Sequence, residues 1–125
     1  QPASKIGKAY GGRATCPLFT YRRQAVKQIP GYRKLKYVLD LAYEQSASGK
    51  GKERHADDKP FEHQPIMKIG REVGTGFPLG QASKKITESA GMLRRNERWK
   101  AKHEILGAIV YLCAAYLLIE EQDKQ

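Results

Sequence analysis

The chain has 125 residues, 23 Lys+Arg against 13 Asp+Glu for a formal charge of +10, and is 40% apolar and 9% aromatic. This length holds one small domain with room for a tail and excludes a second catalytic domain, because chains below roughly 250 residues seldom divide into two full cores. The longest apolar run, Ile105 to Ile119, covers 15 residues; a membrane-crossing helix needs about 20, so the run reads as a buried helix.

Residues 1–18 read as irregular, punctuated by Pro2, Gly7, Gly11, Gly12 and Pro17 with no period of 2 or 3.6. Residues 1–10 are basic and without an apolar stretch of the secretory kind, and the absence of an initiator Met points to a processed or trimmed chain. Cys16 and Cys113 match no zinc or redox spacing, which argues for a reduced, intracellular setting without disulfides or a metal finger. A short helix is expected from Phe19 to Ile29, ended by the turn pair Pro30-Gly31. Leu35, Val38, Leu39, Ala42 and Tyr43 then recur at i, i+3, i+4, i+7 and i+8, predicting a helix from Arg33 to Gln45 with that stripe inward. Gln45 to Lys59 holds no aliphatic larger than Ala and reads as a linker.

Pro65 suits a first helical turn, Ile66, Ile69 and Val73 share a face, and Gly74 can close that helix in the left-handed conformation. A further helix is expected from Pro78 to Ala90, stopped by Gly91. The last runs from Glu97 to about Glu121 with Asn96 as N-cap. Its second half is apolar almost all round, so other helices or a second copy must surround it. With no strand candidate, the fold class is all-α: a small helical bundle with a basic, partly irregular N-terminal segment, oligomerising through the C-terminal helix. The organisation is a basic segment 1–45, a polar linker 46–63 and a helical core 64–125.

The charge is lopsided. Residues 1–38 carry nine Lys/Arg and no acid, while the remainder carries 14 basic and 13 acidic side chains. Such asymmetry points to a polyanionic partner. Arg13, Arg22, Arg23, Lys27, Arg33, Lys34 and Lys36 are candidates to neutralise phosphates, with Tyr21 and Tyr32 offering faces on which bases stack. A second, weaker phosphate candidate is the turn Gly76 to Gly80 with Lys84 and Lys85 on the following helix. A Walker spacing is absent. The ligand-type residues His55, Asp57, Asp58, Glu62 and His63 follow no metal motif, so neither a metal nor a cofactor is expected.

The segments GFPLGQASKKI at 76–86 and HEILGAIVYL at 103–112 resemble a small helical domain encoded by tailed bacteriophages, whose members read G-F-x-x-G-N-A-x-K-Y followed by a helix ending A-x-x-Y-L. Gly76, Phe77, Gly80, Ala82, Lys84, Ala108, Tyr111 and Leu112 match; Gln81, Lys85 and Glu88 replace the family's Asn, Tyr and frequent Arg. The resemblance covers about 61–121. It implies a phage origin and a nucleotide link, since one member is a nucleotide kinase without the usual phosphate loop.

These readings favour a small, basic, non-enzymatic phage accessory protein in the host cytoplasm. It would bind nucleic acid or a nucleic-acid-processing machine, with no membrane association. The alternatives are an enzyme of nucleotide metabolism, either a kinase or a phosphohydrolase, and an inhibitor that binds an acidic surface of a host enzyme.

Overall fold

A computed structural model describes residues 28–48, 52 and 59–124. Contacts divide the chain into two units, 1–33 and 34–125. In the first, the turn at Pro30-Gly31 forms as expected: Tyr32 N–H donates to the Ile29 carbonyl at 3.2 Å. Gly31 adopts φ +90°, the positive value that the third position of a type II turn requires. The expected helix over 19–29 lies largely outside the described residues.

The described chain is all-helical, with no strand. The helices are α1 Arg33–Ala47, α2 Pro65–Val73, α3 Gly76–Arg94 and α4 Arg98–Asp123, with one 3₁₀ turn, Phe61–His63, before α2. α1 extends two residues beyond its expected end, and its core-facing stripe is corrected. Leu35, Val38, Leu39 and Tyr43 are exposed and only Ala42 is buried. The helix meets the body one position round, through Leu41, Ala42, Gln45 and Ser46. Gln45 Nε2 donates to the His103 carbonyl of α4 at 3.2 Å. Most of α1 thus belongs to the same unit as the later helices.

α2 begins at Pro65, whose missing N–H falls where a helix has no acceptor for it. It ends as Gly74, at φ +99°, donates to the Gly70 carbonyl at 2.8 Å. Met67, Ala114 and Leu118 make the core, with Phe61, Ile66 and Leu117 around them. Gly70 presses directly on Leu118.

Two helix ends differ from expectation. α3 starts at Gly76 and runs through Gly91, because Met92, Leu93 and Arg94 are strong enough helix formers to carry one glycine. Asn96 is not the N-cap of α4. It sits at φ +60° as the left-handed residue closing α3, where Asn96 N–H donates to the Leu93 carbonyl at 3.1 Å and Glu97 N–H to the Met92 carbonyl at 2.8 Å. This Schellman pattern explains the asparagine, since Asn tolerates left-handed backbone better than most residues. Glu97 occupies the N-cap position without a side-chain cap bond.

α3 and α4 form an antiparallel hairpin with a line of small buried residues between them: Ala82 and Ser89 on α3, Ala101, Ala108 and Ala115 on α4. Its two sides are unlike. On one, Ala114, Leu118, Glu121 and His103 of α4 meet α2 and α1. Roughly 180° round the helix at 3.6 residues per turn, Ile105, Leu112, Tyr116 and Ile119 face outward. Leu79, Ile86 and Leu93 of α3 recur every seven residues and are likewise exposed. All seven are 42 to 56% accessible. Because the helices are antiparallel, the same rotation away from the alanine line brings both rows to one side, giving a broad apolar face. By length and composition α4 is also long and apolar enough to cross a membrane, although its sequence run had read as too short.

Candidate functional site

Of the residues expected to meet phosphate, Arg13, Tyr21, Arg22, Arg23 and Lys27 lie outside the described residues. Tyr32 is exposed beyond the Pro30-Gly31 turn. α1 opens with Arg33 and Lys34, both exposed, and carries no acid in its first turn. Cations at this end oppose the helix dipole, so an anion placed there would relieve an unfavourable arrangement. Lys36 is engaged differently: its Nζ lies 2.7 Å from Asp40 Oδ2 one turn on, an exposed i,i+4 pair worth only a few tenths of a kcal/mol.

A second cationic site was not anticipated. The turn between α3 and α4 and the start of α4, residues 94–102, hold Arg94, Arg95, Arg98, Lys100 and Lys102 in the same short stretch as the single tryptophan of the chain, with Glu97 as the one acid of that stretch; Trp99 itself borders a shallow hollow with Leu41, Glu44 and His103. Trp99 is 70% exposed, far more than an indole with packing to do. Lys100 Nζ stands 5.9 Å from the centre of its ring. Glu97 is shared: Oε1 accepts from Arg95 Nε and Oε2 from Lys100 Nζ, each at 2.7 Å. Those two hydrogen bonds, Lys100 first, hold its carboxyl below the usual glutamate range. Arg94, Arg98 and Lys102 are exposed and make no ion pair among the described residues. The sequence signal was present as five cations and one acid within nine residues, but it disappears when charge is averaged over the nearly neutral stretch from Leu39 onward.

The glycine-lysine candidate does not assemble. Gly76 and Gly80 lie in the first turns of α3, where Phe77 N–H is taken by the Gly74 carbonyl at 3.2 Å and Leu79 N–H by the Thr75 carbonyl at 3.1 Å. Pro78 has no N–H to offer. Lys84 and Lys85 stand about 12 to 14 Å beyond Gly76 and about 6 to 8 Å beyond Gly80 along the axis at 1.5 Å per residue. Lys85 is also committed elsewhere: its Nζ is 2.9 Å from Glu104 Oε2 of α4 and 5.9 Å from the Tyr111 ring centre. Lys84 is exposed.

Lys85 instead borders an open-sided cavity of about 290 Å³ between α1, the 3₁₀ turn and α2 to α4, lined mainly by Phe61, Ile66, Ile69, Phe77, Val110 and Tyr111. Phe77 and Tyr111 meet edge to face, centroids 6.3 Å apart. Among the described residues every buried side-chain N and O has a hydrogen-bond partner. The cavity therefore presents mainly apolar walls, with Gln45, Gln64, His103 and the ion-paired Lys85 among its polar groups and, among the described residues, no carboxylate lining it. Glu62 and His63 flank the start of α2, while His55, Asp57 and Asp58 lie outside the described residues. Among the described residues no three His, Cys, Asp or Glu side chains are grouped to hold a metal. No family model, curated protein or solved structure matches this chain.

Proposed function

We propose that this is a small, non-enzymatic nucleic-acid-binding protein of the accessory kind that tailed bacteriophages encode, and that it grips single-stranded or unpaired nucleic acid. The observation that carries the reading is the Trp99 turn: an exposed indole with Lys100 over its ring, in a stretch of five cations that joins α3 to α4. Phosphates would be neutralised by Arg94 there, and by Arg33, Lys34 and the basic residues before them in the N-terminal segment. Bases would stack on Trp99 and on Tyr32. Stacking is tolerant of sequence and the phosphate term is not base-specific, so the expected preference is for unpaired strands over any particular sequence. The same reading takes the outward apolar side of α3 and α4 as a surface for self-assembly.

As the only tryptophan in the chain, Trp99 is its own probe. Titration with an oligothymidylate is expected to quench its fluorescence, and log Kd should rise with log salt by about 0.7 for each phosphate neutralised on a single strand. Trp99→Ala should weaken binding of a labelled oligonucleotide roughly 5- to 150-fold, the range of one lost base stack. Binding that ignores salt, or an indole blind to the strand, overturns the proposal. Retention instead on an acidic host protein after nuclease treatment would favour the inhibitor reading.

A further inference from the structure

On the outward side of α4, the exposed Ile105, Leu112, Tyr116 and Ile119, with the half-buried Ile109 at the edge toward α1, are spaced alternately by four and three. That spacing marks the seam of a helix that packs lengthwise on another helix, since it holds one face in register at 3.5 residues per turn. Continued outward, the same spacing reaches Lys102 and Arg98 at one end and Asp123 at the other, all exposed. The row is therefore apolar in the middle, cationic at its start and anionic at its finish. Such a row complements itself when reversed.

We propose that a second copy of this chain covers this face, the two α4 helices lying antiparallel about a two-fold axis with Arg98 of each beside Asp123 of the other. In this register Ile105 faces Tyr116 and Ile109 faces Leu112, so the apolar positions meet apolar positions throughout the middle of the seam, and Lys102 reaches past Ile119 toward the acidic end. A two-fold pair satisfies every contact twice. The three exposed residues of α3 widen the contact on the same side. With large side chains offering roughly 150–250 Å² each and about half of that exposed, the face presents on the order of 600 Å². This stands at the upper limit of what monomers leave bare, and doubled it reaches the lower limit of a stable, specific interface. A parallel pair would set Arg98 against Arg98 and Asp123 against Asp123.

This deepens the self-assembly half of the proposed function, and it is tested in buffer without nucleic acid, so it fails or stands separately from strand binding. Light scattering is expected to give twice the 14.1 kDa chain mass at micromolar concentration. Leu112→Asp, at an already exposed site, should raise the dimer dissociation constant about 100-fold while leaving the helical circular dichroism unchanged. Orientation is read with cysteines. In a chain with Cys16→Ser and Cys113→Ser, the double change Arg98→Cys with Asp123→Cys should yield a disulfide-linked dimer, and neither single change should. Within one chain these positions are about 37 Å apart along the helix, beyond any disulfide. A wild type that stays monomeric, or cross-linking by either single variant, overturns the proposal. So does loss of the dimer in favour of partition into phosphatidylcholine/phosphatidylglycerol vesicles, which would make lipid the occupant of the face.

Discussion

Two glycine-to-alanine changes, each in a helix interior, are expected to act with opposite sign. Where there is room, alanine gains roughly 0.5–1 kcal/mol over glycine because the unfolded chain has less freedom to lose. Gly80 on α3 has room: a Cβ built there meets nothing within 4 Å. Gly70 on α2 has none, since its Cβ would fall on Leu118 Cδ1 and lie 3.4 Å from both Cγ and Cδ2. A leucine tip can usually swing aside, but Leu118 is 2% exposed and wedged with Met67 and Ala114. Overpacking of this kind costs about 1–3 kcal/mol. Set against the propensity gain, Gly70→Ala should destabilise by about 1 kcal/mol, while Gly80→Ala should stabilise by somewhat less. For a body of this size that corresponds to a Tm about 4–8 °C lower for Gly70→Ala and a few degrees higher for Gly80→Ala. Thermal melts of the full chain by far-ultraviolet circular dichroism measure both. A Gly70→Ala protein as stable as the wild type would show that Leu118 yields freely and that the close approach of α2 to α4 is no constraint.

Other expectations concern the charges and the thiol. The Lys85–Glu104 pair, with side chains 26 and 19% exposed, is buried enough that Lys85→Met and Glu104→Gln should each cost more alone than together. A coupling of about 0.5–3 kcal/mol is expected in a double-mutant cycle of denaturant melts. Glu121 is held below the ordinary glutamate range, chiefly by its hydrogen bond from Arg71, as Glu97 is by Lys100 and Arg95. In the unfolded chain both carboxylates take protons at higher pH than in the folded one. Their contribution is therefore complete at neutral pH and is lost as the pH falls below the ordinary glutamate value through the lowered folded values. Melts from pH 6 to 3 should show it, and Arg71→Met should flatten the loss. Partial burial of the otherwise exposed Cys113 pushes its thiol up, so in a chain with Cys16→Ser its reaction with an alkylating reagent at pH 7 should be slower than that of a free thiol and accelerate above the ordinary cysteine range.

The helices were legible in the sequence where a local rule decided them. Pro65 opens α2 and Gly74 closes it because a proline lacks an N–H and a glycine accepts positive φ, and neither fact depends on the rest of the molecule. Pro30-Gly31 turned as expected for the same reason. The misreadings came where a tertiary partner decides. The stripe Leu35, Val38, Leu39, Ala42 and Tyr43 had the right period, but period cannot say which side finds a neighbour: of the stripe only Ala42 is buried, and Gln45 bonds to α4. Asn96 suits both an N-cap and a left-handed closing residue; only the bonds to Leu93 and Met92 tell them apart. Gly91 reads as a stop until the helix formers after it are weighed. The Trp99 turn was hidden because a block-wise charge balance cancels Arg94 to Lys102 against the acids of α4. Of those acids Glu104 stands near the start of the helix, while Glu120, Glu121 and Asp123 stand at its other end, which is the separation that the antiparallel seam exploits.

That separation links the two proposals in one further measurement. In an antiparallel α4 pair the two Trp99 turns fall at opposite ends, on the order of 35 Å apart at 1.5 Å per residue. A strand long enough to reach both would engage two stacking sites at once, whereas one shorter than the span would engage only one. Linked sites raise affinity through effective concentration without any new contact. Wild-type affinity, measured by anisotropy at fixed salt, should therefore step up by at least about tenfold as oligothymidylate length passes the span. Leu112→Asp, which leaves the Trp99 turn intact, should abolish the step while keeping the affinity for short strands. If the monomeric variant bound the long strand as tightly as wild type, the two ends would not act together, and the charge separation along α4 would serve the dimer alone.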